Sequence, residues 1–251
     1  MYTSKTLFSI LLSFYVTQGS AQQSDSTQHK SYFTKSARWR QAFAVPGLLI
    51  STGVLAATDN DLIDKFEIQE ERNEVAPRFR THADDYLQYA PLVAVYGLNA
   101  LGLKGEHDFA NRTALLVKSE LIMMAMVLSL KKFTAVPRPD TGTPNSFPSG
   151  HTAEAFVAAT FLHKEYGKEH PLISVLGYTT ATGIGVLRIM NNRHWASDVI
   201  TSAGIGILAT NLAYLTHQHK WGRKQVVRNS ITVAPTYSQA SWGMYMQLRL
   251  H

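Results

Sequence analysis

Residues 188–215 read RIMNNRHWASDVITSAGIGILATNLAYL. The stretch opens on Arg188 where one apolar run stops, crosses a polar break holding His194 and Asp198, and resumes as an apolar run over 199–215. That run is long enough for several helical turns, and its Ala and Gly suit a helix pressed closely against neighbours. His194 and Asp198 stand four residues apart, one turn of helix, so the carboxylate can accept a hydrogen bond from the imidazole. Such a bond fixes the tautomer and leaves the other ring nitrogen free and basic. An oriented neutral imidazole is a competent nucleophile. Taken alone, the pair has a plainer reading as the cap of a helix.

Working outward, further apolar runs occupy 42–57, 89–103, 114–130, 153–162 and 172–187, separated by polar breaks. The expected fold is all-α, a bundle of about six apolar helices over residues 42–220. Lys118 and Glu120 interrupt the third run, and Pro46 lies inside the first. A mean hydropathy of −0.10 is low for a chain immersed mostly in lipid, so the runs establish helices but not a membrane. Near the C-terminus the pattern changes to strand-like alternation (ITVAPTY, WGMYMQLRL), which predicts a β-hairpin within 229–251. Two strands cannot close a membrane barrel, so the hairpin is expected as an appendage. The charged stretch 59–85 reads as a solvated loop with room for an amphipathic helix. Its His82, Asp84 and Asp85 read as a surface turn rather than a metal cluster.

Two more polar segments flank the apolar runs. Residues 131–139 (KKFTAVPRP) carry Lys131 and Arg138. Pro137 and Pro139 keep the backbone extended, end the third helix and aim Arg138 outward. A guanidinium fork grips two phosphate oxygens, and Lys131 adds a mobile charge. Cations at a helix C-terminus also simply favour the helix dipole. Residues 148–151 (PSGH) place Ser149 as the N-cap of the fourth apolar helix, with the Gly150 N–H open to a ligand and His151 in the first turn. An ordinary capped helix start with a surface His is the competing reading, and Asn145 and Ser146 read as turn residues. If successive helices run antiparallel, all three segments emerge at one end of the bundle. A shared site requires that arrangement, and its inventory suits holding a phosphate group while an imidazole attacks phosphorus.

The 251 residues carry a formal net charge of +6, with pI near 9.4, which fits an anionic substrate or membrane surface. There is no cysteine, which excludes disulfides and thiolate metal sites. No HExxH, EF-hand, Rossmann or P-loop spacing occurs. Metal binding through His and carboxylates stays open on this reading, while no cofactor and no nucleic-acid partner are expected. At the N-terminus, Lys5 precedes the apolar stretch LFSILLSFYV, and Gly19 and Ala21 fit the −3 and −1 positions of a signal-peptidase site. The expectation is a signal peptide over 1–21, then a polar segment over 22–41.

Lys131-x6-Arg138-Pro139, Pro148-Ser149-Gly150-His151 and Arg188-x5-His194-x3-Asp198, in that order, resemble the tripartite signature of the type 2 phosphatidic acid phosphatase (PAP2) and vanadium haloperoxidase superfamily. The six apolar runs also resemble the helix layout of its membrane lipid phosphatases. Leu187 departs from the small residue usual before the third-motif Arg. The resemblance implies a metal-independent, covalent mechanism. Lys131, Arg138, Arg188, the Ser149 hydroxyl and the Gly150 amide would hold the phosphoryl oxygens, and His194, oriented by Asp198, would become a phosphohistidine. His151 would protonate the leaving alcohol. The implied partners are a phosphorylated lipid and a membrane.

Alternatives within that resemblance are a soluble periplasmic acid phosphatase of broad specificity and a vanadium haloperoxidase. A phospholipid-binding protein without activity is the non-enzymatic alternative. If all six runs span a bilayer, Lys and Arg are more numerous on the side away from the motifs, which places the motif loops outside, facing the periplasm, by the positive-inside rule. A cleaved signal peptide conflicts with this, because it would also place residues 30–40 outside. The conflict disappears if run 42–57 lies along the interface, if the signal peptide is absent, or if the chain is a soluble exported bundle.

Overall fold

The computed structural model describes residues 35–58, 65–217, 230–238 and 241–249. The expected signal peptide lies outside them. Among the described residues there are eight helices: α1 (Lys35–Ala57), α2 (Lys65–Val75), α3 (Ala83–Leu87), α4 (Ala90–Ala100), α5 (Phe109–Thr134), α6 (Gly150–Tyr166), α7 (Pro171–Met190) and α8 (Ala196–Leu215). The six apolar runs fall in α1 and α4–α8. Helix α1 begins at Lys35, so the boundary expected near residue 42 falls inside a helix rather than before one. Two strands, β1 (Ser230–Ser238) and β2 (Ser241–Arg249), pair antiparallel from Ser230↔Arg249 to Ser238↔Ser241.

Local chemistry sets the helix ends. The Asp108 side chain accepts the Asn111 N–H at 3.0 Å and caps α5, which stops where Ala135 turns left-handed at φ 47°. Ser149 caps α6 by accepting from the Thr152 N–H, and Pro171 opens α7, where a missing N–H costs nothing. Helix α8 starts with the Trp195 N–H donating to Asp198 Oδ2 at 3.1 Å.

Helices α5, α7 and α8 are each long and apolar enough to cross a membrane. Only α8 is central: 67 % of its apolar stretch is buried inside the protein, against 22 % for α5 and 28 % for α7. Glycine makes that position possible. A Cβ on Gly206 would lie 2.5 Å from the Ala153 carbonyl oxygen, and one on Gly204 would lie 2.8 Å from that of Pro46. Any larger residue there would push α8 off α6 and α1. The core between them holds Met123, Val127, Ala153, Val157, Ile205 and Ala209. The outward faces of α5 and α7 instead expose Leu121, Met124, Leu128, Leu172, Val175, Leu176 and Val186. An apolar belt of this kind suits lipid and not water.

The antiparallel helices bring the C-terminal ends of α5 and α7 to the same end of the bundle as the N-terminal ends of α6 and α8. All three polar segments therefore meet.

Candidate active site

His194 sits in the short α7–α8 connection and is only 3 % exposed. Its Nδ1 lies 3.2 Å from Asp198 Oδ2. A carboxylate only accepts, so Nδ1 carries the proton and Nε2 keeps its lone pair. Nε2 has no hydrogen-bond partner among the described residues. Burial pushes the His194 pKa down to about 4, helped by the charges of Arg188 and Arg138 and opposed by Asp198. The imidazole is therefore neutral across the physiological range.

Ser146 and Trp195 hold Asp198 in turn. The Ser146 hydroxyl donates to Asp198 Oδ2 at 2.5 Å and lies 3.4 Å from His194 Nδ1. Ser146 is fully buried, so it is a support of the His–Asp pair and not the plain turn residue expected. The Trp195 indole N–H donates to the Pro137 carbonyl at 2.9 Å, and Arg193 pairs with Asp140 at 3.1 Å. These two contacts fasten the α7–α8 connection to the 135–148 loop.

The remaining expected residues converge here. Lys131 Nζ donates to the carbonyls of Asn145 (2.6 Å) and Ser146 (3.2 Å), leaving one of its three donors. Arg138 Nε donates to Asn145 Oδ1 at 2.7 Å, so Asn145 is also more than a turn residue. Burial and the neighbouring Arg188 charge hold the Arg138 pKa below its ordinary value. Ser149 is buried, and its N–H reaches the Asp198 carbonyl at 3.4 Å. Space is open where a side chain at Gly150 would be. The N-termini of α6 and α8 both add positive dipole ends to this region.

Arg188 is 6 % exposed and donates from Nη1 to Asp84 Oδ2 at 2.7 Å. Its Nε is buried without a partner among the described residues. Asp84 is completely buried and also accepts from Asn191 Nδ2 at 3.1 Å. His151 Nε2 lies 2.8 Å from Asp85 Oδ1, which is 3.8 Å from Arg188 Nη1. Hydrogen bonding to His82 holds the Asp85 carboxyl below the usual range against the opposing effect of burial, with His151 and the Arg188 charge adding to it.

Of the 82–85 segment only Asp84 departs fully from the surface turn expected, since it is buried against Arg188, whereas the His82 side chain is exposed and Asp85, on the rim, reaches His151. Asn191 fastens the start of the segment, accepting the Thr81 N–H at 2.8 Å and donating to the Thr81 carbonyl at 2.9 Å. Helix α2 ties to the end of α7 and the α7–α8 connection, where Arg72 Nε donates to the Met190 carbonyl at 2.9 Å and Gln69 donates to Asn192 Oδ1 at 3.1 Å. The signal for this role was positional. Residues 59–85 connect two apolar runs at the same end of the bundle as the motifs.

Residues 113–221 match the family model of the PAP2 superfamily. That stretch, which holds all three polar segments, is what the chain shares with this superfamily. The Lipid A 1-phosphatase of Porphyromonas gingivalis is 43 % identical over 150 residues, which cover 59 % of this chain and 33 % of that protein. The chain therefore matches about a third of the length of this curated relative. Among solved structures, Aquifex aeolicus LpxE aligns at 26 % identity with a TM-score of 0.44, over 58 % of this chain and 93 % of that one. The transmembrane PAP2 type phosphatidylglycerolphosphate phosphatase from Bacillus subtilis aligns at 17 % identity with a TM-score of 0.45, over 68 % and 94 %.

Proposed function

We propose that this chain hydrolyses the phosphate ester of a membrane lipid through a phosphohistidine on His194. The observation that carries the reading is the buried His194–Asp198 pair, with Nε2 unbonded beside Lys131, Arg138 and Arg188. The cations and the Ser149–Gly150 helix start hold the phosphoryl oxygens and stabilise the charge of the trigonal-bipyramidal transition state. Nε2 forms the bond to phosphorus as the bond to the lipid oxygen breaks, and His151 protonates that oxygen. Water then attacks the phosphohistidine and releases phosphate.

Two features support a lipid. The apolar belt on α5 and α7 suits insertion in a bilayer. A groove of about 260 Å³ also runs from Gly150 and His151 along Met123, Met124, Val127 and Leu128 on α5, a path apolar enough for acyl chains. Lipid A phosphates come first as substrates because of the relative from Porphyromonas gingivalis, followed by phosphatidate and polyprenyl pyrophosphate. The excess of Lys and Arg on the opposite side favours a site facing the periplasm. The paired strands β1 and β2 serve as an appendage outside the reaction.

The test is phosphate release from lipid A and from a short-chain phosphatidate in EDTA, comparing wild type with His194→Ala. Release by wild type, with ³²P trapped on histidine and lost in the variant, is expected. Activity surviving in His194→Ala overturns the mechanism. Orientation is checked in the cysteine-free background by labelling Thr141→Cys with a membrane-impermeant maleimide in intact spheroplasts.

A further inference from the structure

The geometry points to Asp85 as a positioning residue for the general acid, holding His151 Nε2 so that Nδ1 faces the leaving oxygen. This rests on the phosphatase reading above and goes beyond the motif residues. Asp85 lies outside the matched residues 113–221 and is contributed by α3, which the motif pattern does not include.

The contact is specific. Asp85 Oδ1 lies 2.8 Å from His151 Nε2 across a sequence separation of 66 residues. The other oxygen of the carboxylate meets the exposed His82 Nδ1 at 3.2 Å, a surface contact that adds little restraint. The helix that carries it is anchored one residue earlier, because Asp84 is buried against Arg188 and Asn191. Arg188, from α7, also faces Asp85 and would repel a proton on His151. Burial and then the Arg188 charge hold the His151 pKa below its ordinary value, and the Asp85 carboxylate at Nε2 opposes both, favouring the imidazolium a general acid needs. His151 Nδ1 has no hydrogen-bond partner among the described residues. The site thus holds two His–Asp pairs working in opposite senses. Asp198 binds Nδ1 of His194 and exposes Nε2 as a nucleophile, whereas Asp85 binds Nε2 of His151 and exposes Nδ1 as an acid.

In the step itself, the bond from His194 Nε2 to phosphorus forms while the phosphorus–oxygen bond of the ester breaks. The electron pair stays on the leaving oxygen, which takes the proton from His151 Nδ1 and departs as a neutral alcohol. In the second step the now neutral His151 accepts a proton from the attacking water as its oxygen bonds to phosphorus. The phosphorus–nitrogen bond breaks with its electron pair returning to His194 Nε2, releasing phosphate and leaving the imidazolium of His151 restored.

Leaving-group dependence tests this role. An alkoxide needs the proton, while p-nitrophenolate leaves without it. Asp85→Asn should therefore lower kcat/KM, which reports only the steps up to departure of the leaving group, on a short-chain phosphatidate by on the order of tenfold to a hundredfold. Its kcat/KM on p-nitrophenyl phosphate should stay close to wild type, because the shared hydrolysis of the phosphohistidine does not enter that ratio. Asp85→Glu should recover part of the loss, and Asp85→Asn added to His151→Ala should slow the enzyme no further. An equal loss on both substrates, or an additive loss in the double variant, overturns the inference and leaves the phosphatase reading standing. Failure of wild type to hydrolyse any phosphate ester overturns both.

Discussion

The two ends of the helical bundle both bury charge, but they complete it differently. At the end away from the motifs, Glu165 on α6 receives four donors. Its Oε1 accepts from the Tyr214 hydroxyl at 2.6 Å and His107 Nδ1 at 2.8 Å. Its Oε2 accepts from the His107 N–H at 3.1 Å and Arg112 Nε at 3.2 Å. The carboxylate is saturated and ties the ends of α6 and α8 to the start of α5. At the motif end, Arg188 Nε is buried with no partner among the described residues, and His194, itself 3 % exposed, makes no hydrogen bond to them through Nε2. A buried unsatisfied polar group costs about 1–3 kcal/mol, so it persists where an arriving group would satisfy it. Arg112 Nη1 is also buried without a partner among the described residues, so the contrast lies in the carboxylates and cations. The far end is closed around a saturated Glu165, and the motif end is open at a partly unpaired Arg188 guanidinium near His194.

Breaking the open end should give the largest effects. His194→Ala should lower turnover by on the order of 10⁴ or more, because removing a nucleophile leaves only binding and charge stabilisation. Single-turnover phosphate release measures this, and unchanged melting in detergent would separate it from misfolding. Arg188→Ala should cost roughly 10²–10³ in kcat. It should also destabilise the fold, because Asp84 is left buried and charged without its cation. Adding Asp84→Asn should restore the melting temperature and not the activity, which separates the two functions of Arg188.

At the closed end the pattern should reverse. Glu165→Gln should lower stability by about 3 kcal/mol, the usual scale for removing one partner of a buried ion pair. The specific activity of the folded protein should not change. A loss of kcat without a loss of melting temperature would erase the contrast between the ends.

The smallest effect is in the pH profile. In the proposed mechanism the attacking imidazole must be neutral, and burial holds His194 near a pKa of about 4. Burial and the Arg188 charge hold the pKa of His151 below its ordinary value. The kcat/KM should therefore rise as pH falls below the ordinary histidine range and His151 takes up its proton, then decline near pH 4 as His194 protonates. Asp198→Asn removes an interaction that raises this pKa, so it should move the acid limb further down while slowing the reaction. An acid limb near pH 6.5 in wild type would mean that His194 is not buried as described.

Much of this was legible from local pattern. The apolar runs identify α1 and α4–α8, since burial or lipid contact on a helix needs only a continuous apolar stretch. His194 and Asp198 are one turn apart, so helical geometry alone brings them together. Helix centrality was not legible. Helices α5 and α7 are at least as apolar as α8 yet lie outside it, because an outward face that meets lipid is as apolar as one that meets protein. The chain shows the difference only in the glycines at 204 and 206, whose meaning depends on what approaches them.

The sequence by itself determined the helices, their caps at Asp108 and Ser149, and the local His194–Asp198 pair, because each follows from residues within a turn or two. Only the tertiary structure decided that Ser146 would support Asp198, that Asp84 would be buried against Arg188, and that Asp85 would reach His151. Those partners lie 52, 104 and 66 residues apart. No periodicity links positions so distant. Their contact depends on how α3 and the 135–148 loop fold over the ends of the other helices, which makes charged residues in an apparent surface loop part of the site.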